Sequence, residues 1–167
     1  MNLVTVPVLC VMEGSNYNYV AGVDLYDKER DCRSWSGGSK LIAHPPCQQW
    51  SRMKGLAKES KAEKELGPYC VELVRKYGGV LEHPKGSSLF KYCGVDMKKV
   101  FEVKQFWWGF PAQKATLLYC EDVELLQIRI KGVRSVVMGV CDMGRGKRSL
   151  MPVDMCEYLV DCVRKSY

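Results

Sequence analysis

The sequence predicts the α/β class. Three observations carry that expectation: short β-branched runs punctuated by turn residues, a long amphipathic stripe between two such runs, and a second stripe close to the last residue. A strand, a helix and a returning strand are the unit from which parallel sheets are built. With 167 residues, one domain spanning 1–167 is the natural reading. A chain of this length buries roughly 70% of its unfolded surface, enough for a self-sufficient core.

The elements follow in order. "LVTVPVLCVM" is apolar and β-branched and reads as a buried strand, which "EGSNYN" breaks with turn residues. "YVAGVDLYD" is a second, weaker strand, and "KERDCRSWSGGS" reads as a short helix followed by a loop. "KLIAH" is a third strand, closed by Pro45 and Pro46 because neither proline can donate to a sheet ladder. Over residues 57–77, Leu66, Cys70, Leu73, Val74 and Tyr77 recur at spacings of three and four, one apolar helical stripe. Pro68 predicts that the main helix begins near Gly67–Pro68, with proline in its first turn, and the glycines at 78 and 79 end it. "VLEH" is a fourth strand, again closed by proline. After the "QFWWGFP" loop come the strand "ATLLYC" and a β pattern through "VELLQIRIKGV" and "SVVMGV". A closing helix, "VDMCEYLVDCVRK", puts Met155, Leu159 and Cys162 on one face. The sum is a small Rossmann-like three-layer domain with a mostly parallel sheet.

Composition narrows the function classes. No apolar run approaches the roughly 20 residues of a membrane helix, so no membrane partner is expected. The opening "MNLVTVPVLCVMEG" has neither a basic leader nor a small-residue cleavage site. The nine cysteines are spread almost evenly among apolar neighbours, which suits buried hydrophobes in a reducing compartment. A cytoplasmic location is therefore expected, the host cytoplasm if the chain is phage-encoded. No C-x-x-C pair occurs and the only histidines are His44 and His83, so a zinc site would need distant single cysteines and no metal ligand is assigned. The formal charge of +6 fits a polyanionic partner, nucleic acid or nucleotide, and fits a merely Lys-rich soluble surface equally well.

In open parallel sheets, ligands bind beyond the carboxyl ends of the strands. "HPPC" and "EHP" each lie just past such an end, so neighbouring third and fourth strands would bring Cys47 and Glu82 to one crevice. That pairs a thiol nucleophile with a carboxylic acid. His44 and His83 stand at the same strand ends and are candidates to lower the thiol pKa or to bond a base or phosphate.

These residues carry a resemblance. "PPCQQWS" resembles the Pro-Cys nucleophile motif of DNA cytosine-5 methyltransferases, written P-P-C-Q-x-x-S. "GGVLEHP" resembles the E-N-V motif that follows it, and "QFWWGFPAQKATLLY" the next motif, in the family's order. The combination is also similar to small phage-borne proteins carrying HPPC, GGVLEHP and FWWG. The resemblance covers about residues 41 to 119. It implies that Cys47 adds to carbon 6 of a pyrimidine flipped out of its stack while Glu82 holds the ring at nitrogen 3. Gln48 and Ser51 would shape the nucleophile loop. Here histidine and proline replace the asparagine and valine of E-N-V, Lys114 replaces the first arginine of the third motif, and Thr116 stands in place of the second. The resemblance also implies S-adenosylmethionine, yet no glycine-rich loop follows the first strand and only Asp24 stands ready to hold a ribose. The cofactor therefore stays open.

Two further groups are candidates for contact with substrate. "FWWGF" offers Trp108 among aromatics that either stack bases or plug the loop onto the sheet. "GRGKR" offers Arg145, Lys147 and Arg148 on flexible backbone for phosphate contacts, or an ordinary solvated turn. The leading expectation is a pared-down methyltransferase-like enzyme that attacks a pyrimidine in DNA or a nucleotide. The alternatives are a non-catalytic nucleic-acid or protein-binding module that interferes with host modification or defence, and a cysteine hydrolase or glycosyl-bond transferase. A second copy of the chain is a candidate to complete the site as a homodimer.

Overall fold

The computed structural model describes residues 3–51, 60–130, 139–140 and 143–167. In chain order the elements are β1 (Val6–Leu9), β2 (Val23–Tyr26), β3 (Leu41–Ala43), α1 (Lys61–Tyr77), β4 (Gly79–Pro84), α2 (Leu89–Tyr92), β5 (Val100–Lys104), β6 (Ala115–Glu121), α3 (Arg145–Ser149) and α4 (Val153–Lys165). The strands form one sheet in the order β2-β1-β3-β4-β6-β5. The first four are mutually parallel, and β6 and β5 continue the sheet antiparallel. This is the α/β three-layer architecture that the sequence predicts.

The two outer layers pack on opposite faces. Val6, Val8, Ile42, Val80 and Leu118 point to the side of α4, where Met155, Cys156, Leu159 and Val160 cover them. Leu9, Leu41, Ala43, Leu81 and Tyr119 point to the side of α1 and meet Cys70, Val71 and Val74. Alternation along each strand thus sends neighbouring residues to different cores.

Gly78 and Gly79 join α1 to β4. Gly78 donates its N–H to the Val74 carbonyl at 2.9 Å from a left-handed backbone (φ 79°), closing the helix. Gly79 lies so close to β3 that a Cβ would fall 2.0 Å from the Leu41 carbonyl oxygen. Only glycine lets β4 begin there.

Three expectations need correction. α1 starts at Lys61, seven residues before Pro68, so the proline lies inside the helix and not in its first turn. The start is set by Ser60, whose hydroxyl accepts from the Glu63 N–H at 3.3 Å, half of a Ser-x-x-Glu capping box. Gly67 precedes the proline because a Cβ there would sit 2.8 Å from Trp50 Nε1 and from Leu89 Cδ1. Second, residues 123–130 form no strand. Leu125, Leu126 and Ile128 pack against the α4 core, Leu126 donates its N–H to Cys162 Sγ (3.4 Å) and its carbonyl accepts from the Tyr158 hydroxyl (2.8 Å). The remainder of that expected β pattern, through residue 138, lies outside the described residues. Third, "GRGKR" is not loose backbone: Arg145–Ser149 form a helical turn, with the Arg148 N–H bonded to the Gly144 carbonyl at 3.0 Å.

Candidate functional site

β3 and β4 are parallel neighbours in the register Ala43↔Leu81, which sets the next residues, His44 and Glu82, side by side at the carboxyl ends. Both follow residues whose side chains face α1, so both turn to the α4 face. His44 Nδ1 lies 3.2 Å from Glu82 Oε2, and His44 Nε2 lies 2.9 Å from the Tyr17 hydroxyl. The other carboxylate oxygen of Glu82 meets the Thr116 hydroxyl, which also lies 3.0 Å from the His83 carbonyl. One hydroxyl has one proton, so Thr116 donates to one of these acceptors at a time. Tyr17 arrives from the short 3-10 turn Asn16–Tyr19 that follows β1. Burial raises its phenol well above the ordinary range, and the neighbouring Cys156 and Glu82 add to this, so it stays neutral.

Glu82 is the electrostatic centre of the group. Burial pushes its carboxyl up, but the His44 hydrogen bond and charge, then Lys114 and Thr116, outweigh burial and hold it at about 2. At neutral pH it is ionised and serves as an acceptor.

Cys47 stands past the two prolines, half-buried, at the head of a tight turn. Its carbonyl accepts from the N–H groups of Trp50 (3.0 Å) and Ser51 (2.9 Å). Gln48 and Ser51 are half-buried on this turn. Lys114 approaches from the loop before β6, its ammonium 2.8 Å from the Arg148 carbonyl and 5.3 Å from the Phe110 ring centre. Burial lowers the Lys114 pKa while Glu82 and Cys47 both raise it, which places the ammonium within electrostatic reach of carboxylate and thiol together. Cys47, Glu82, His44 and Lys114 therefore share one end of the sheet.

Other candidates lie elsewhere. His83 is fully buried on the α1 face, 6.2 Å ring to ring from Phe90. Neither of its ring nitrogens has a hydrogen-bond partner; the nearby backbones of Pro46 and Pro45 do not reach bonding geometry. Burial pulls its pKa down to about 4 against the charge of Glu82. Trp108 is 8% exposed and packs on Tyr158 at 5.0 Å between ring centres, a core contact and not an open stacking face. Asp24 sits on the edge strand β2, its carboxylate held by Arg30 at 2.5 Å. Arg148 reaches the site through its carbonyl, Lys147 is exposed on α3, and Arg145 opens that helix.

The sequence reading missed Tyr17, for which the turn "EGSNYN" gave no signal beyond a break between strands. It also missed two groupings. Gln49, Trp50, Lys64, Ser88, Lys91 and Tyr92 line an open groove of about 430 Å³ beside the Cys47 turn. The thiols of Cys10, Cys32 and Cys70 converge on the α1 face. Every described cysteine is a free thiol.

No helix among the described residues is long and apolar enough to cross a membrane. Compared with models of known protein families and with curated proteins, the chain matches none.

Proposed function

We propose that the chain is an enzyme that attacks a pyrimidine base through Cys47, a pared-down relative of the DNA cytosine-5 methyltransferases. The observation that carries this reading is the parallel register of β3 and β4, which sets His44 and Glu82 in contact at their carboxyl ends, with the Cys47 turn directly following β3 and Lys114 directly before neighbouring β6. A cation beside a thiol favours the thiolate, the form that adds to carbon. The sulfur bonds to carbon 6, and the electron pair of the 5,6 double bond moves onto carbon 5 and the nitrogen 3 side of the ring. Glu82 accepts from that edge of the base, and His44 supplies the proton that neutralises it. Carbon 5 then takes a proton from water, and the hydroxide left behind removes the original carbon 5 hydrogen. The 5,6 double bond re-forms as the sulfur leaves and nitrogen 3 returns its proton to His44, so solvent hydrogen replaces the original one.

Among the described residues, S-adenosylmethionine has no matching cradle. The segment between β1 and β2 folds as the 3-10 turn that carries buried Tyr17, and Asp24 is taken by Arg30. No methyl-transfer step is assigned. In the groove beside Cys47, Lys64 and Lys91 suit a phosphate backbone, and Tyr92, 70% exposed, is the aromatic open to a base, with buried Trp50 packed behind it at 4.9 Å between ring centres.

Deuterium exchange at carbon 5 of cytosine, read by mass spectrometry in heavy water, tests the reaction on single strands, duplexes and free nucleotides. Exchange is expected with the native protein and is lost entirely in Cys47→Ser. If all three substrates keep their hydrogen, the enzymatic reading falls. A second reading then takes its place, a module that binds nucleic acid through the groove without chemistry. It is favoured by one feature: both carboxylate oxygens of Glu82 and both nitrogens of His44 are already engaged inside the protein.

A further inference from the structure

Three cysteines far apart in the sequence meet on the face of the sheet opposite His44 and Glu82. Cys10 directly follows β1, Cys32 lies in the 3-10 turn Cys32–Ser34 between β2 and β3, and Cys70 lies in α1. Their sulfurs all fall within 4.8 Å of one another, and Cys10 Sγ and Cys70 Sγ are 3.7 Å apart. Two sulfurs bound to one tetrahedral zinc at 2.3 Å stand about 3.8 Å apart. The Cys10–Cys70 separation is that of two ligands on one ion and not of a disulfide, whose sulfurs lie about 2 Å apart, and Cys32 Sγ stands within 4.8 Å of both.

The backbone supports the convergence. Cys10 adopts a left-handed conformation (φ 59°), one of two non-glycine residues at positive φ among those described. An L residue rarely takes this conformation unless its surroundings require it. Cys120, Cys156 and Cys162 are equally buried on the α4 face, yet they form no such group. Burial as small hydrophobes therefore accounts for those three and not for the geometry of Cys10, Cys32 and Cys70.

We propose that Cys10, Cys32 and Cys70 form a zinc site of three thiolates, with water in the fourth position on the side of Cys10. Cys32 and Cys70 are buried, and Cys10 is the half-exposed member through which the ion would enter. Three thiolates and Zn²⁺ leave one negative charge. Arg33, within electrostatic reach of Cys32 and Cys10, offsets it. Binding releases the remaining thiol protons to solvent. The site would fasten the segment between β2 and β3 to α1, independently of Cys47.

Cobalt titration of the reduced, metal-free protein tests this. One equivalent of Co²⁺ should give sulfur-to-cobalt charge-transfer absorption with the strong visible bands of tetrahedral coordination, and zinc should displace it. Cys93→Ser, outside the cluster, should keep the full signal, and Cys10→Ser and Cys32→Ser should lose it. Should a cluster variant fail to fold, differential alkylation of the native chain decides: zinc should shield these three cysteines, and a chelator should release them together. Weak or non-stoichiometric binding, cobalt spectra without thiolate bands, bands that survive in Cys32→Ser, or alkylation unchanged by zinc would each overturn the assignment.

Discussion

His44 and His83 each precede a proline at the end of a parallel strand, yet the two faces of the sheet give them opposite lives. On the α4 face, Tyr17, His44, Glu82 and Thr116 bond to one another around an ionised carboxylate. On the α1 face, His83 sits beside Phe90 with neither ring nitrogen bonded. The difference comes from one residue of register. Glu82 and His83 are consecutive in β4, so the pleat must send them to different sides. A polar group joined to partners can hold charge in a buried place, while one without partners stays neutral because burial penalises its charged form. Of the two histidines, only His44 therefore has a charged partner with which to share a proton.

The largest test of that contrast removes the charge from the networked side. Glu82→Gln keeps the shape of the side chain but cannot stabilise a protonated His44 or a protonated ring edge. Cytosine carbon 5 exchange should slow by about 10²–10⁴-fold, the range of a lost acid–base partner. The melting temperature of the variant shows whether the fold has survived. A rate within twofold of the native value would mean that the base is held elsewhere.

The second test reads the buried side through pH. An unfolded histidine titrates near 6.5 and His83 in the fold near 4, so between these values the unfolded chain binds more protons than the native one. Stability is complete above 6.5 and falls as pH drops through 4, by about 3 kcal/mol at 1.36 kcal/mol per pK unit. Glu82, depressed from 4.5 to about 2, contributes in a lower window, present above 4.5 and lost as pH falls through 2. Urea denaturation at stepped pH should resolve the two limbs, and His83→Leu should erase only the upper one. If the upper limb persists in that variant, His83 is not its source.

Much of this layout was legible in the residues. Prolines after "LIAH" and "LEH" marked the strand ends, and those ends set His44 and Glu82 side by side, with the Cys47 turn directly after. Position at a strand end alone does not tell Glu82 from His83; the alternation of the strand does, and it sends His83 to the α1 face. Pro68 outweighed the capping signal of Ser60 and Glu63, which lies seven residues before the expected start at Gly67. β5 was not expected because "VFEVK" is an edge strand with Phe101, Glu102 and Lys104 exposed, so it lacks the apolar run of a buried strand. Residues 123–130 carried strand-like runs whose apolar side chains are spent on α4 instead of a ladder. The thiol cluster had no spacing to reveal it, because three separate crossings of the sheet end bring Cys10, Cys32 and Cys70 together.

The smallest expected effect comes from the residue that touches both sides. Thr116→Val preserves shape and removes the hydroxyl lying between the Glu82 carboxylate and the His83 carbonyl. Loss of one buried hydrogen bond costs about 1–2 kcal/mol at neutral pH. Because Thr116 helps to hold Glu82 ionised, its removal also lets that carboxyl titrate higher. The penalty should then shrink as pH falls through 2, below which Glu82 is protonated in folded and unfolded chain alike and no longer needs the donor. Chemical denaturation of the native and variant chains across that range measures it. A penalty flat with pH would assign the hydroxyl to the His83 carbonyl, and Thr116 would then belong to the framework of β4 and not to the ionised site.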